Sequence, residues 1–525
     1  MNYKSVENNS IKKLQTSITG GKLENHQTTE KELNTLIARR HEELEELKNK
    51  GIQPFAYEYD VDSYSAEIKN NYEKYAGKTV KIAGRLMAIR KMGKASFAQI
   101  QDEYGRIQIY LRRDEIGDQY AMFKLLDIGD IIGVEGYVFK TRTEEISVHT
   151  TSLTLLAKSL RPIPIAKEVV DEEGNKKIFD QFADKELRYR QRYVDLIVNP
   201  EVKDVFVKRS KIISTMRNYL DANRFLEVET PVLQSLYGGA AAKPFVTHHN
   251  ALDIKLYMRI ADELYLKRLI VGGFERVYEI SKDFRNEGMD KTHNPEFTMM
   301  ELYVAYKDYE WMMKFVEEML FHIAKEVMGS AKINIEGTEV DFTPPWNRVS
   351  MVDELKKVTG IDVLTISKED LAKDVKQRGA SLTGGESKGK LIDELFSLTV
   401  EPNLIQPTFV TDYPVELSPL AKKHRTKEGL VERFEGFVLG REICNAFSEL
   451  NDPIDQKERF LEQSRYGEEG DEEAHQIDED YVKALEYGMP PTAGLGIGID
   501  RLTMLFTNQS SIKDVILFPQ MKPEK

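Results

Sequence analysis

The sequence predicts an α+β chain: a small N-terminal β-barrel followed by a larger domain built on a mostly antiparallel sheet. Three observations carry this. Five short, alternating apolar runs lie between about Lys78 and Leu156. The stretch RPIPIAK, Arg161–Lys167, contains two prolines that disfavour helix and remove backbone donors, so it reads as an interdomain linker. Beyond it, strand-like runs recur among helical stretches of variable length, the pattern of an α+β domain.

Residues 1–29 are polar, show no apolar period and read as a flexible tail. From Glu30, the segment EKELNTLIARRHEELEELKNKGI sets Leu33, Ile37, Leu44 and Leu47 on one stripe and ends at Gly51, which predicts an amphipathic helix. The runs VKIAGRLMAI, ASFAQIQD, RIQIYL, IIGVEGYVF and EISVHTTSLTLL predict five strands. DEYG forms a turn between the second and third, and a helix-compatible stretch, Asp114–Leu125, follows the third. That order matches the OB-fold, a Greek-key barrel that commonly binds oligonucleotides. Residues 30–160 are therefore expected to form helix plus barrel, 161–183 a linker, and 184–525 the large domain with a helical insertion at about 353–400.

Within the large domain, Lys203–Asn223 predicts a helix with Val205, Ile212, Met216, Tyr219 and Leu220 near one face, followed by the strand-like FLEVETPVL. The run FRNEGMDKTHNPEFTMMELY, Phe284–Tyr303, reads as strand, charged loop, strand. Arg285 and Glu287 are expected on one side of the first strand, and Phe297, Met299, Glu301 and Tyr303 on one side of the second. An arginine offers a fork of donors to phosphate and a phenylalanine a stacking face to a purine, so this hairpin suits a binding floor. In FEGFVLGREICNAFSEL, Glu435, Glu442, Asn445 and Glu449 sit among apolar residues. Buried carboxylates need partners, and hard oxygen donors of this kind suit Mg²⁺ with nucleotide phosphates. AGLGIGIDRL alternates glycines but has the wrong spacing for a dinucleotide fingerprint; it suggests close backbone approach to a ligand with Arg501 just beyond.

Taken together, FLEVETPVL ending near Pro231, FRNEG…HNPEFTMMELY and GLGIGIDRL resemble, in order, the three signatures of class II aminoacyl-tRNA synthetases. YGGAAAKPFVTHHNALD, RIADELYLKRLIVGGFERVYEI and REICNAFSELNDP resemble the lysyl branch of that class, and the likeness runs from about residue 30 to the C-terminus. The resemblance implies ATP-dependent ligation of L-lysine to its tRNA through a lysyl-adenylate, with Mg²⁺ as cofactor, a homodimer and a cytoplasmic setting. It also implies roles for individual residues. Arg285 would grip the α-phosphate and substrate carboxylate, and Glu287 the adenine amino group. His293 and Asn294 would lie near the nucleotide, and Phe297 would stack on adenine. Arg501 would cover the other face and reach the γ-phosphate, making Arg285 and Arg501 the catalytic pair. Glu435 and Glu442 would hold Mg²⁺, Glu442 also touching ATP. Gly239, Glu263, Glu301, Tyr303, Asn445, Phe447, Glu449 and Gly496 would form the lysine pocket, whose glutamates suit a substrate with two ammonium groups; which of them meets which ammonium is open. In the barrel, Phe97 would stack on an anticodon base and Gln108 bond the central uridine, with Arg90 and Glu135 nearby. The alternatives are an aspartate- or asparagine-type synthetase and a ligase that modifies a protein lysine; paralogues of that last kind typically lack the barrel present here.

Composition agrees. The 525 residues carry 41% hydrophobic and 31% charged side chains, a globular balance. No run approaches the roughly 18 apolar residues of a membrane span, and the N-terminus has no apolar leader, so no membrane partner is expected. One cysteine, Cys444, excludes an internal disulfide and a Cys-based zinc site, and it reads as packing. The net charge of −13 argues at first against a nucleic-acid partner. Yet Asn451–Pro490 holds 13 acidic against 4 basic residues, while Lys78–Thr150 holds 12 basic against 10 acidic, so the barrel region is mildly basic.

Overall fold

The structure, a computed structural model, describes residues 30–165, 167–170, 176–179, 182–240, 242–382, 386–468 and 477–524. The expected flexible tail, residues 1–29, lies outside them. The chain divides into two compact units, the first ending at Arg188 and the second spanning Tyr189–Lys525.

In the first unit, α1 (Glu30–Asn49) buries Leu44 and Leu47 as its apolar stripe requires. It also buries Arg40, whose guanidinium donates to the carbonyls of Ile128 (2.8 Å), Ser159 (2.9 Å) and Arg161 (3.0 Å). Such charge-assisted bonds fix the helix against the barrel. Strands β1 (Thr79–Met92), β2 (Ala95–Gln101), β3 (Arg106–Arg112), β4 (Ile131–Lys140) and β5 (Ile146–Ala157) close a barrel in the order β1-β2-β3-β5-β4. Ile100, Ile107, Ile109, Leu111, Ile132 and Val134 point inward with almost no exposure, and the polar alternates face out. The single helix expected after β3 is two short ones, Arg113–Ile116 and Asp118–Phe123, broken where Gly117 takes φ +53°. The stretch expected as a plain linker contains a small antiparallel hairpin, Lys167–Val170 with Lys176–Phe179.

The second unit is organised by an eight-stranded sheet. Its strands are β6 (Leu226–Glu227), β7 (Arg276–Phe284), β8 (Glu296–Ala305), β9 (Asn347–Ser350), β10 (Thr408–Pro414), β11 (Leu430–Val438), β12 (Arg441–Ser448) and β13 (Thr492–Gly498). They run in the order β9-β10-β11-β12-β13-β8-β7-β6, antiparallel except for the two end pairs. Helices α2 (Pro200–Ala222) and α4 (Tyr309–Met328) cover one face, between which α3 (Glu263–Val271) follows in sequence. Met216, Leu220, Met312, Val316, Met319 and Leu320 pack there against Met300, Leu302 and Leu495, all 2% exposed or less. Each such burial contributes roughly 1.5–3 kcal/mol.

Two expectations need correction. FLEVETPVL is not one strand: Leu226–Glu227 pairs with β7 and Leu233–Gln234 with Tyr257–Met258, and Pro231 between them has no N–H to offer a ladder. The strand before the charged loop ends at Phe284, so Arg285 and Glu287 stand just beyond it. The insertion is helical, over Met351–Thr359, Lys368–Gln377 and Lys388–Thr399, each N-capped by a serine side chain (Ser350, Ser367, Ser387). In the acidic stretch, Asp452, Glu458, Glu462, Glu479, Asp480 and Glu486 are exposed; residues 469–476 lie outside the described part.

Candidate functional site

The face of the sheet opposite α2 and α4 floors a cavity of about 370 Å³. Strand alternation builds it. On β8 the even positions Met300, Leu302 and Val304 sit in the core, which leaves Phe297, Met299, Glu301 and Tyr303 facing the cavity. Two cross-strand rows result: Glu301–Gly496–Asn445 and Tyr303–Gly494–Phe447. The glycines make the space. A Cβ on Gly494 would lie 2.0 Å from Glu449 Oε1 and 2.6 Å from the Tyr303 ring, so no larger residue fits under these side chains.

The cavity has two ends of different character. At the inner end, Glu263, Glu301, Tyr303 and Glu449 are each 7% exposed or less, and Tyr303 Oη donates to Glu301 Oε2 at 3.1 Å. Burial raises Glu301 well above the ordinary carboxyl range, and Asp262, Asp283 and Glu263 add to it. Burial likewise raises Glu449 well above that range, against the pull of Lys267. Gly239, at φ +90°, brings its backbone over Ala261 and Glu263 at the rim.

At the outer end the charges are wet. Arg285 stands 5.0 Å from the Phe297 ring centroid, and Arg501 Nη1 donates to Glu442 Oε2 at 2.8 Å. Side-chain exposures are 34% for Arg501, 37% for Glu442 and 52% for His293, whose Nδ1 lies 2.8 Å from Asp290 Oδ2. Asn294 Oδ1 is buried without a hydrogen-bond partner among the described residues. An adjoining cavity of about 510 Å³ shares His293, Glu442 and Arg501 and adds Glu435, Asp393 and Glu401. There Glu435 is paired with Arg433 and accepts from Tyr413 Oη at 2.9 Å. Burial raises Glu435 to about 7, with Glu442 and Asp393 reinforcing the shift against Arg433.

Comparison with known proteins follows the same division. A family described as class II tRNA synthetases (D, K and N) matches residues 184–522, and one described as an OB-fold nucleic acid binding domain matches residues 80–156. A lysine–tRNA ligase of Porphyromonas gingivalis is 56% identical over 497 residues, covering 93% of this chain and 85% of that protein. Those of Thermoanaerobacter sp. and Carboxydothermus hydrogenoformans are 54% and 55% identical, each over 94% of this chain and 97% and 99% of their own. The chain belongs to the lysine–tRNA ligase family of class II.

Fifteen of the catalytic-unit residues singled out in the sequence line the first cavity: Gly239, Glu263, Arg285, Glu287, His293, Asn294, Phe297, Glu301, Tyr303, Glu442, Asn445, Phe447, Glu449, Gly496 and Arg501. Glu435 lines the second cavity, beside Glu442, which lines both. Sequence reasoning missed Lys267, Arg433 and the buried acids Asp262 and Asp283 behind the cavity. The i,i+4 spacing of Glu263 and Lys267 on an apolar helix was the available signal for the first. Cys444 is 1% exposed within the sheet core, and burial pushes its thiol up, so it is packing.

On the barrel, Phe97 pairs in register with Arg90 on β1 and Tyr110 on β3, its ring 4.8 Å from that of Tyr110. Tyr110 continues to His149 (5.0 Å), which stacks on Tyr137 (4.6 Å). Gln108 shares this outer face and donates to Ser147 Oγ at 2.9 Å. Glu135 does not join them. It sits opposite Lys81 and Ser152, four residues along β4 from Phe139, which pairs with Ser147. Glu145, just before β5, pairs its side chain with Lys69 at 3.3 Å, and its carbonyl accepts from Ser147 Oγ.

Proposed function

We propose that the cavity is where this enzyme joins lysine to ATP before passing it to tRNA. The chain is a lysine–tRNA ligase: it activates L-lysine with ATP, releases pyrophosphate and transfers the lysyl group to its cognate tRNA, releasing AMP. The single observation that supports the residue roles is the polarity of the cavity, three buried carboxylates at one end and two arginines with an aromatic ring at the other.

Lysine enters with its ammonium groups toward Glu263, Glu301 and Glu449 and its carboxylate toward Arg285. ATP lies at the outer end, adenine on Phe297 with Glu287 at its amino group, His293 and Asn294 alongside, and Arg501 against its opposite face and the γ-phosphate. The carboxylate attacks the α-phosphorus in line, and catalysis is positioning plus neutralisation by Arg285 and Arg501. Once the adenylate has formed, a ribose hydroxyl of the tRNA terminus attacks its carbonyl. Among the described residues no three His, Cys, Asp or Glu side chains are grouped to hold a metal ion by themselves. Glu435 and Glu442 facing one cavity nevertheless suit Mg²⁺, which keeps waters and substrate phosphates in its shell and would neutralise developing phosphate charge.

The barrel face carrying Phe97, Tyr110 and Gln108 would take the anticodon, with Arg90 at its edge. Homodimerisation is supported by exposed apolar side chains at Leu226, Val232, Leu233, Leu236 and Val246, around the first signature. Among the described residues no helix is long and apolar enough to cross a membrane, and a cytoplasmic setting suits the reaction. An amino-acid panel in ATP–pyrophosphate exchange, followed by charging of total tRNA, tests the reading. Exchange should depend on lysine alone; dependence on aspartate or asparagine, or lysine exchange without tRNA charging, would overturn it.

A further inference from the structure

Lys267 lies on α3 one turn after Glu263 and is fully buried. Its ammonium pairs with both Glu263 and Glu449, two of the three carboxylates at the inner end of the cavity. The ring centroid of Phe447 is 5.3 Å away, and those of Tyr303 and Tyr481 are 6.0 Å away. Burial alone would lower an ammonium in this position, but Glu263 and Glu449 outweigh it and raise Lys267 above its usual range, so it stays a cation. Arg433, the other cation acting on Glu263, is committed to Glu435 and to Asn445 Oδ1 at 3.1 Å. Glu449 Oε1 has no hydrogen-bond partner among the described residues.

The charge balance gives this arrangement a consequence. Burial favours the protonated form of these acids, so they ionise only against cations; ionised together, Glu263, Glu301 and Glu449 would exceed the two ammonium groups of a lysine substrate by one, and buried charge without a partner is costly. Lys267 removes the excess. It leaves a net of two negative charges, and it holds Glu263 and Glu449 in place while one oxygen of Glu449 stays open to a ligand.

We propose that Lys267 is a specificity-determining positioning residue: it bridges Glu263 and Glu449 and sets the charge of the pocket to that of its dicationic substrate. This rests on reading the inner end as the lysine site. Groups facing the bridge are Glu263 on its own helix, Glu301, Tyr303 and Glu449 from the sheet, and Tyr481 from the helix Glu479–Glu486. Without the cation, Glu263 and Glu449 hold protons to higher pH, and lysine must displace them to bind.

The test uses the full-length protein in lysine-dependent ATP–pyrophosphate exchange across pH. Lys267→Met should raise KM for lysine at least about tenfold and move the acidic limb of kcat/KM for lysine up by about one pH unit, with KM for ATP changed less than about threefold. Lys267→Arg should recover part of both. The double variant Glu263→Gln/Lys267→Met removes one carboxylate together with the cation, so that less uncompensated charge is buried than in the single variant. It restores the net charge, so its acidic limb should return toward the wild-type position while KM for lysine stays raised; it supplies the measurement if the single variant does not fold. An unshifted limb in Lys267→Met, a parallel rise in both KM values, or an upward-shifted limb in the double variant would overturn the proposal. Glu449→Gln separates the two levels. If it raises KM for lysine and the Lys267 variants do not, only the bridge is wrong; if it leaves KM for lysine unchanged, the assignment of the pocket is wrong.

Discussion

The cavity and the outer face of the barrel, the two surfaces proposed to recognise substrate and tRNA, are built on opposite principles. The cavity packs ionisable side chains where water is scarce: Glu449, Lys267 and Asp262 are 1% exposed or less. The barrel face presents half-buried rings, Phe97 on Tyr110 and Tyr110 on His149, with polar side chains beside them. A buried charge that meets the wrong ligand is left unpaired, which penalises errors heavily; a stacking ring accepts any base and leaves discrimination to hydrogen bonds such as those Gln108 can make. Single substitutions should therefore act far more strongly in the cavity than on the barrel.

The largest effect is expected at Arg285. No salt-bridge partner is recorded for it among the described residues, and its Nε reaches only the Ile260 carbonyl, at 3.5 Å, so its charge is available to a substrate carboxylate and phosphate. Arg285→Ala should lower kcat/KM in lysine-dependent exchange by about 10²–10³-fold, the usual cost of one preorganised donor to a developing charge. A loss under about fivefold would break the comparison, because the cavity would then be no more sensitive than a stacking surface.

The intermediate effect belongs to the barrel. Phe97→Ala should weaken lysine tRNA in filter binding by about 1–3 kcal/mol, or roughly 5–150-fold. Unchanged affinity would mean that Phe97 only packs on Tyr110.

How much of this was legible in the sequence differs between the two surfaces for a physical reason. Period-two alternation set the face of β8 from residue order, so Phe297, Glu301 and Tyr303 fall where the pattern puts them, whereas Phe97 and Gln108 were expected from resemblance and not from alternation. Alternation says nothing once a strand stops, which is why Arg285 and Glu287 were expected on β7 and stand beyond it. Nor does it give register between distant strands. Glu135 was expected beside Phe97 and Gln108 from resemblance alone, and the pairing of β4 with β1 and β5 sets it opposite Lys81 and Ser152 instead. Lys267 and Asp283 were invisible because a charged residue in an apolar run reads as solvent-facing until its partners, here Glu449 just past β12 and Arg259 ahead of α3, are brought together in space.

The smallest effect concerns the stability that the buried charges cost. Asp262 and Asp283 are both fully buried behind the cavity, around Arg259, which they approach at 3.1 and 3.5 Å. Burial raises Asp262 to about 8, with Asp283 adding to it, and raises Asp283 to about 6 against Arg259 and Arg285. A carboxyl whose folded pKa lies above its unfolded value binds protons more tightly when folded. Its contribution is therefore complete below the ordinary carboxyl range and is lost as pH rises through the folded value. Stability of the wild-type protein should accordingly fall between about pH 4 and pH 8 in excess of what surface groups cause. Asp283→Asn removes one of the two titrations and the repulsion on Asp262, and Arg259 keeps Glu279 at 2.8 Å. Its unfolding midpoint should exceed that of wild type by a few degrees, on the order of 1 kcal/mol, at about pH 9, with the gap narrowing toward about pH 5. Parallel curves for the two proteins would show that these acids titrate normally, and that the cavity tolerates its buried charge at less cost than its contrast with the barrel implies.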